Sequence, residues 1–132
     1  MKVTIDGRVK IPMKKNSMVL TSKNGKPRMI KDQKVKNFEE YLAWIATGEM
    51  KRNGFTKPFE KPVKLHLEVV FGDNYRRDLQ NCFGSVCDAL NGIVYADDCQ
   101  IVSLSATKRV EYNQWSFRII VAEIEEDSKG AA

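Results

Sequence analysis

Long apolar runs are missing from this chain. No window comes near the roughly 18 residues that a membrane span requires. The N-terminal stretch MKVTIDGRVKIPMKK lacks the apolar core of a signal peptide, so a cytoplasmic protein is expected. Cysteine is scarce. Cys82, Cys87 and Cys99 are an odd number with no C-x-x-C pair, which argues against a disulfide framework and against a zinc knuckle. Cys82 and Cys87 read as small buried hydrophobes. Histidine is scarcer still. The single His66 sits in the apolar run LHLEVVF and reads as a strand residue with a satisfied ring, not as a metal ligand.

What is present describes one globular domain. The chain has 132 residues, 42% of them apolar and 30% charged. That length buries about two-thirds of the surface its unfolded form exposes. The net charge of +5 hides an asymmetry. Residues 1–64 hold 16 Lys/Arg against 6 Asp/Glu, and residues 65–132 hold 6 against 11. A basic half joined to a half with clustered acids suits a polyanionic partner brought to a carboxylate site. A solubilising surface would account for the same numbers.

Periodicity sets the elements. Residues 2–5 (KVTI) alternate and run into Asp6-Gly7, which predicts a short strand and a turn. Residues 12–30 are rich in Lys, Asn, Gly and Ser and read as a basic loop or arm, with Asn24-Gly25 a candidate hairpin tip. Val35, Phe38, Tyr41, Leu42 and Ile45 predict a helix capped by Asp32 and ended by Gly48. Residues 63–71 (VKLHLEVVF) alternate as a half-buried strand. Leu79, Cys82, Phe83, Val86, Cys87 and Leu90 predict a second helix, with Asp78 placed to cap it and Asn91-Gly92 to end it. Its polar side is read as Gln80, Gly84 and Asp88 in one row, with Asn81 and Ser85 beside them. Residues 100–108 and 114–124 predict two strands joined near 111–113. The expected architecture is α/β, with a mixed sheet of about four strands and two main helices in one domain over 1–125, and a disordered tail over 126–132.

The acids are unevenly placed. Residues 75–101, YRRDLQNCFGSVCDALNGIVYADDCQI, hold Asp78, Asp88, Asp97 and Asp98 and no glutamate. Magnesium is a hard cation held by one or two carboxylates plus phosphate oxygens. Asp78 at a helix start and Asp97-Asp98 in the loop beyond the same helix can supply such carboxylates if the fold makes them converge. Adjacent aspartates repel unless exposed or bridged by a cation. The plain alternatives are a helix cap for Asp78, an exposed helix residue for Asp88 and a turn for Asp97-Asp98.

The spaced pattern R-R-D-x-x-N, D-A-L-N-G and Y-x-D-D-x-Q-I, followed by a later Lys, resembles the RusA-like Holliday-junction endonucleases. The resemblance is densest over residues 75–108 and extends loosely to Pro12–Ser17. It implies a small, homodimeric, Mg²⁺-dependent resolvase of the kind often carried by phages and prophages. Such an enzyme acts on branched DNA and four-way junctions in recombination and repair, with Mn²⁺ able to substitute, no nucleotide cofactor and no membrane, in the cytoplasm at the nucleoid. It implies catalytic roles for Asp78, Asp97, Asp98 and Lys108, and metal binding by Asp78, Asp97, Asp98 and Gln80. With it, DNA contacts are expected from Lys14, Lys15, Lys23, Lys26 and Arg28, and from Arg76 and Arg77 on the chemistry of the guanidinium.

Two positions depart from the family's D-x-D-N-x-x-K. Gln80 stands where the second acid belongs and offers an oxygen without charge. Gly84 stands where the lysine belongs. Arg76 and Arg77, after Tyr75, occupy the place of a wedging aromatic, which favours phosphate gripping there. Two readings stay open: a diverged nuclease in which Lys108, Arg76 or Arg77 substitutes, or a module that binds junctions with little or no cleavage.

Overall fold

The computed structural model describes residues 1–12, 18–23, 26–75 and 77–125, with the side chains of 18–31 left aside. The central strand is the alternating run. β4 (Val63–Phe71) turns Val63, Leu65, Leu67 and Val69 into the core and leaves Lys64, His66 and Glu68 on the open face. Each such fully buried aliphatic side chain contributes about 1.5–3 kcal/mol through removal from water. β6 (Ser116–Glu123) lies antiparallel to β4 on one side, and β1 (Lys2–Gly7) lies antiparallel to β6 beyond it. β5 (Ile101–Val110) runs parallel to β4 on the other side, so the mixed sheet has the order β1-β6-β4-β5. β2 (Met18–Lys23) and β3 (Lys26–Lys31) form a separate antiparallel hairpin. Lys23 pairs with Lys26, so the connection is the two-residue one expected at Asn24-Gly25, although those two residues lie outside the described set.

Two helices cover one face of the sheet and pack on each other. α1 (Gln33–Arg52) begins where Asp32 accepts the Lys34 N–H at 2.9 Å. It does not stop at Gly48. Its buried stripe continues through Ala46 to Met50, so Gly48 falls on the exposed face, where its cost is about 1 kcal/mol. The helix ends at Asn53, and Gly54 takes the left-handed conformation with φ +80°.

α2 (Gln80–Leu90) is the crossover between the parallel strands β4 and β5. Its buried face is rotated from the sequence reading. Ser85 and Ala89 are buried, whereas Phe83 and Cys87 are only half-buried. Ser85, expected on the polar side, is fully enclosed and its Oγ has no hydrogen-bond partner. A buried hydroxyl without a partner carries a desolvation cost. Ser85→Ala is therefore expected to stabilise the fold by about 1 kcal/mol, read as a higher urea midpoint at unchanged m.

The edge strand β5 is the exception to this coverage. Eight of its ten residues are exposed, including Val102 (61%) and Leu104 (47%). Among the described residues, its outer edge has no strand neighbour. His66 is satisfied as expected, its Nδ1 lying 2.7 Å from Ser105 Oγ on β5.

Candidate active site

The loop that delivers Asp78 is held by a charged clamp. Asp73 pairs with Arg77 through both carboxylate oxygens, the Nη2–Oδ2 contact being 3.1 Å, and also accepts the Tyr75 N–H at 3.1 Å. Arg77 holds the Asp73 carboxyl below its ordinary range, and Asp73 raises Arg77 further. The guanidinium lies among the rings of Phe71, Trp115 and Tyr75, at 5.1, 5.2 and 5.7 Å. Only 12% of the Arg77 side chain is exposed. Its first task is to fix this loop. Lys108, from the far part of β5, donates to the Arg77 carbonyl at 3.1 Å.

Asp78 itself is exposed. The expected side-chain cap is not made: the N-cap is Leu79, and it is the Asp78 backbone carbonyl that accepts the Asn81 N–H at 3.1 Å. The carboxylate is left outside the helix, with exposed Gln80 two residues on.

A second acidic group lies at the other end of α2. Tyr95 is fully buried, and its hydroxyl donates to the Cys87 carbonyl at 2.8 Å, which draws the loop after Gly92 back to the end of the helix. Asp97 then caps a single 3₁₀ turn, accepting the Cys99 N–H at 3.2 Å, while Gln100 accepts the Asp97 N–H at 2.8 Å. Gln100 also donates to the Phe59 and Lys61 carbonyls at 2.8 and 3.0 Å. The loop is thus rigidly placed while Asp97 and Asp98 remain exposed. A hydrogen bond with Asp97 raises the Asp98 pKa, helped by slight desolvation and by the charges of Asp97 and Asp88. This corner also faces the negative end of the helix dipole, with no basic residue in the last turn of α2.

Asp78 and the 97–98 pair do not meet within one chain. Asp78 precedes α2, whereas the loop that carries Asp98 is tied by Tyr95 to the end of the helix, where the charge of Asp88 still reaches it, about ten residues or 15 Å further along the axis. The strands agree: Ile101 pairs with the start of β4, whereas Lys108 pairs with Val69 toward its end. Among the described residues, no three His, Cys, Asp or Glu side chains converge on one point where an ion could be held. Each end of α2 carries part of the donor set that the sequence led one to expect. The chemistry of the second part suits a hard cation, because two adjacent exposed carboxylates repel each other and a cation between their oxygens relieves that repulsion. Of the expected DNA contacts, Lys14, Lys15 and Arg76 lie outside the described residues, and the side chains of Lys23, Lys26 and Arg28 are among those left aside. No helix among the described residues is long and apolar enough to cross a membrane.

A family model for the endodeoxyribonuclease RusA matches residues 10–122, which takes in both acidic groups and every strand of the main sheet but the first. The chain belongs to the RusA endodeoxyribonuclease family. The uncharacterized protein YqaN of Bacillus subtilis (strain 168) is similar to it, 27% identical over 103 residues that cover 65% of this chain and 72% of that protein. In this RusA-family chain, sequence reasoning had marked the four aspartates but missed Asp73, whose i, i+4 spacing to Arg77 was the available signal. Gln100 stood in the Y-x-D-D-x-Q-I pattern without a role, although its place three residues after Asp97 was a capping-box signal.

The raised Asp98 pKa has a measurable consequence. A carboxyl whose pKa is raised by folding opposes folding when ionised, and its penalty disappears as pH falls through that raised pKa. Asp98→Asn removes the repulsion at its source. The variant is expected to melt above the wild type at neutral pH, with the gap closing toward acid pH as the wild-type carboxyl takes up its proton. Thermal scans over a pH series read both effects.

Proposed function

We propose that this chain is a divalent-metal-dependent endonuclease that resolves four-way junctions and related branched DNA by phosphodiester hydrolysis, acting as a homodimer. The observation that carries the reading is the adjacent pair Asp97 and Asp98, exposed on a loop that Tyr95 and Gln100 pin in place, in a RusA-family endodeoxyribonuclease. Asp97 and Asp98 would hold Mg²⁺ or Mn²⁺ together with Asp78, with Gln80 as a neutral donor. Such an ion, when bound, neutralises phosphate charge and makes water a stronger acid. Lys108 donates to the Arg77 carbonyl in the Asp78 loop and would there offer a cation to the scissile phosphate.

Because the carboxylates stand at opposite ends of α2, we assign the complete donor set to two copies. The exposed β5 edge offers a two-fold pairing that achieves this. If two β5 strands align antiparallel about Ser103, Val102 of one copy faces Leu104 of the other, and Asp98 faces Lys108. Lys108 already touches the carbonyl before Asp78, so the acid pair of the second copy arrives beside Asp78 of the first. The same pairing covers apolar side chains that one chain leaves wet.

Gln80 and Gly84 favour a second reading, a protein that grips junctions by shape without cutting them. Incubation with a synthetic four-way junction and Mg²⁺ or Mn²⁺ separates the two. Paired, symmetric nicks are expected; tight junction binding with no nick at high protein concentration would leave only the second reading.

A further inference from the structure

Beside the Asp78 loop lies a cleft that the metal chemistry does not use. It encloses about 690 Å³ between the segment leaving β1 (Val9 to Pro12) and the first turns of α1. Its floor is apolar, from Ile11, Val35 and Phe38, and the half-buried ring of Tyr41 stands at one side. Its rim is polar and mostly basic. Among the described residues, Lys10, Lys34 and Arg77 line it against one acid, Asp32, whose carboxylate already caps α1. Lys10 is held with its Nζ 4.7 Å from the centre of the Trp115 ring. Asn37 accepts from Gln33 at 2.7 Å, which fixes its amide and leaves N–H groups as donors at the mouth. Arg77 is shared with the loop that ends in Asp78, so whatever enters the cleft lies next to the proposed cutting site.

We propose that this cleft receives one unstacked nucleotide of the branched DNA, its base against Tyr41 and Phe38 and its phosphate against Lys10 and Lys34. This rests on the nuclease reading above and adds a substrate-selecting site to it. An apolar floor with one accessible ring and a cationic rim is the arrangement that suits a base with its phosphate: stacking is tolerant of which base is presented, and the cations favour a polyanion. A base at a branch point has already lost a stacking neighbour, so its extraction costs less there than in continuous duplex. The cleft therefore discriminates branched from linear DNA.

The test is a double cycle between Tyr41 and individual bases, measured as binding to a synthetic four-way junction with EDTA present. Tyr41→Ala is expected to weaken binding to the intact junction roughly tenfold, while Tyr41→Phe leaves it unchanged. With an abasic site at the inserting position near the branch, wild type and Tyr41→Ala should bind equally. Lys34→Ala, an exposed change that spares the fold, should reduce the salt slope of junction binding by about one. The proposal is overturned if Tyr41→Ala costs the same whichever base is removed, or costs nothing. If wild type does not prefer the junction to linear duplex at all, the nuclease reading fails with it.

Discussion

Gln80→Asp is expected to raise Mg²⁺-dependent nicking of a four-way junction by about ten- to a hundredfold at sub-saturating metal. Gln80 lies exposed at the first turn of α2, close after Asp78. A carboxylate there adds a full charge to a donor set that has only the Asp78 charge at that end of the helix, so metal affinity measured by calorimetry should rise together with the rate. Gly84 stands one turn further along the same row. Gly84→Lys should add to the gain by placing a cation beside the new carboxylate at i, i+4, and should also stabilise the helix by about 0.5–1 kcal/mol, since glycine costs that much in a helix interior. Tighter metal binding with no faster cutting would mean that these two positions do not limit the reaction.

The second large effect is a loss. Asp78→Asn and Asp98→Asn are each expected to cut nicking by about 10²–10³-fold, the scale on which removing one preorganised electrostatic partner acts. Junction binding with EDTA present should change little, because neither carboxylate contributes attraction to phosphate. Both residues are exposed and neither side chain caps α2, so the variants should fold normally. For Asp98→Asn, the expected rise in melting temperature at neutral pH would exclude unfolding as the cause.

Much of the fold was legible because the local signals were strong. The alternation in β4 gave both its bounds and its buried face. The stripe from Val35 to Ile45 gave the start of α1, but not its end. The stripe continues at Ala46 and Met50, and tertiary burial outweighed a glycine that happened to lie on the wet side. Ser85 was misplaced for a related reason. On a helix wedged between another helix and a sheet the buried arc is wide, and chemistry alone does not mark its edge. The sheet order was not legible, since β6 inserts between β1 and β4 through pairings as much as 120 residues apart.

The site shows the same division. The four aspartates were visible as a cluster along the chain, and the ten-residue interval from Asp78 to Asp88 already implied opposite ends of a helix. What the sequence did not reveal was which end the later loop would join. The buried Tyr95 decides that, through its bond to the Cys87 carbonyl, and so places Asp97 and Asp98 at the end of α2 away from Asp78.

The central claim is that one cutting site draws Asp78 from one chain and Asp97-Asp98 from a second. Mixing separately purified Asp78→Asn and Asp98→Asn proteins, with exchange of subunits, tests it directly. In a shared site, the mixed dimer holds one wild-type Asp78 opposite one wild-type Asp98, so nicking of one strand should return to a substantial fraction of the wild-type rate. Mixtures as inactive as either variant alone, despite demonstrated subunit exchange, would place each site within a single chain and contradict the account.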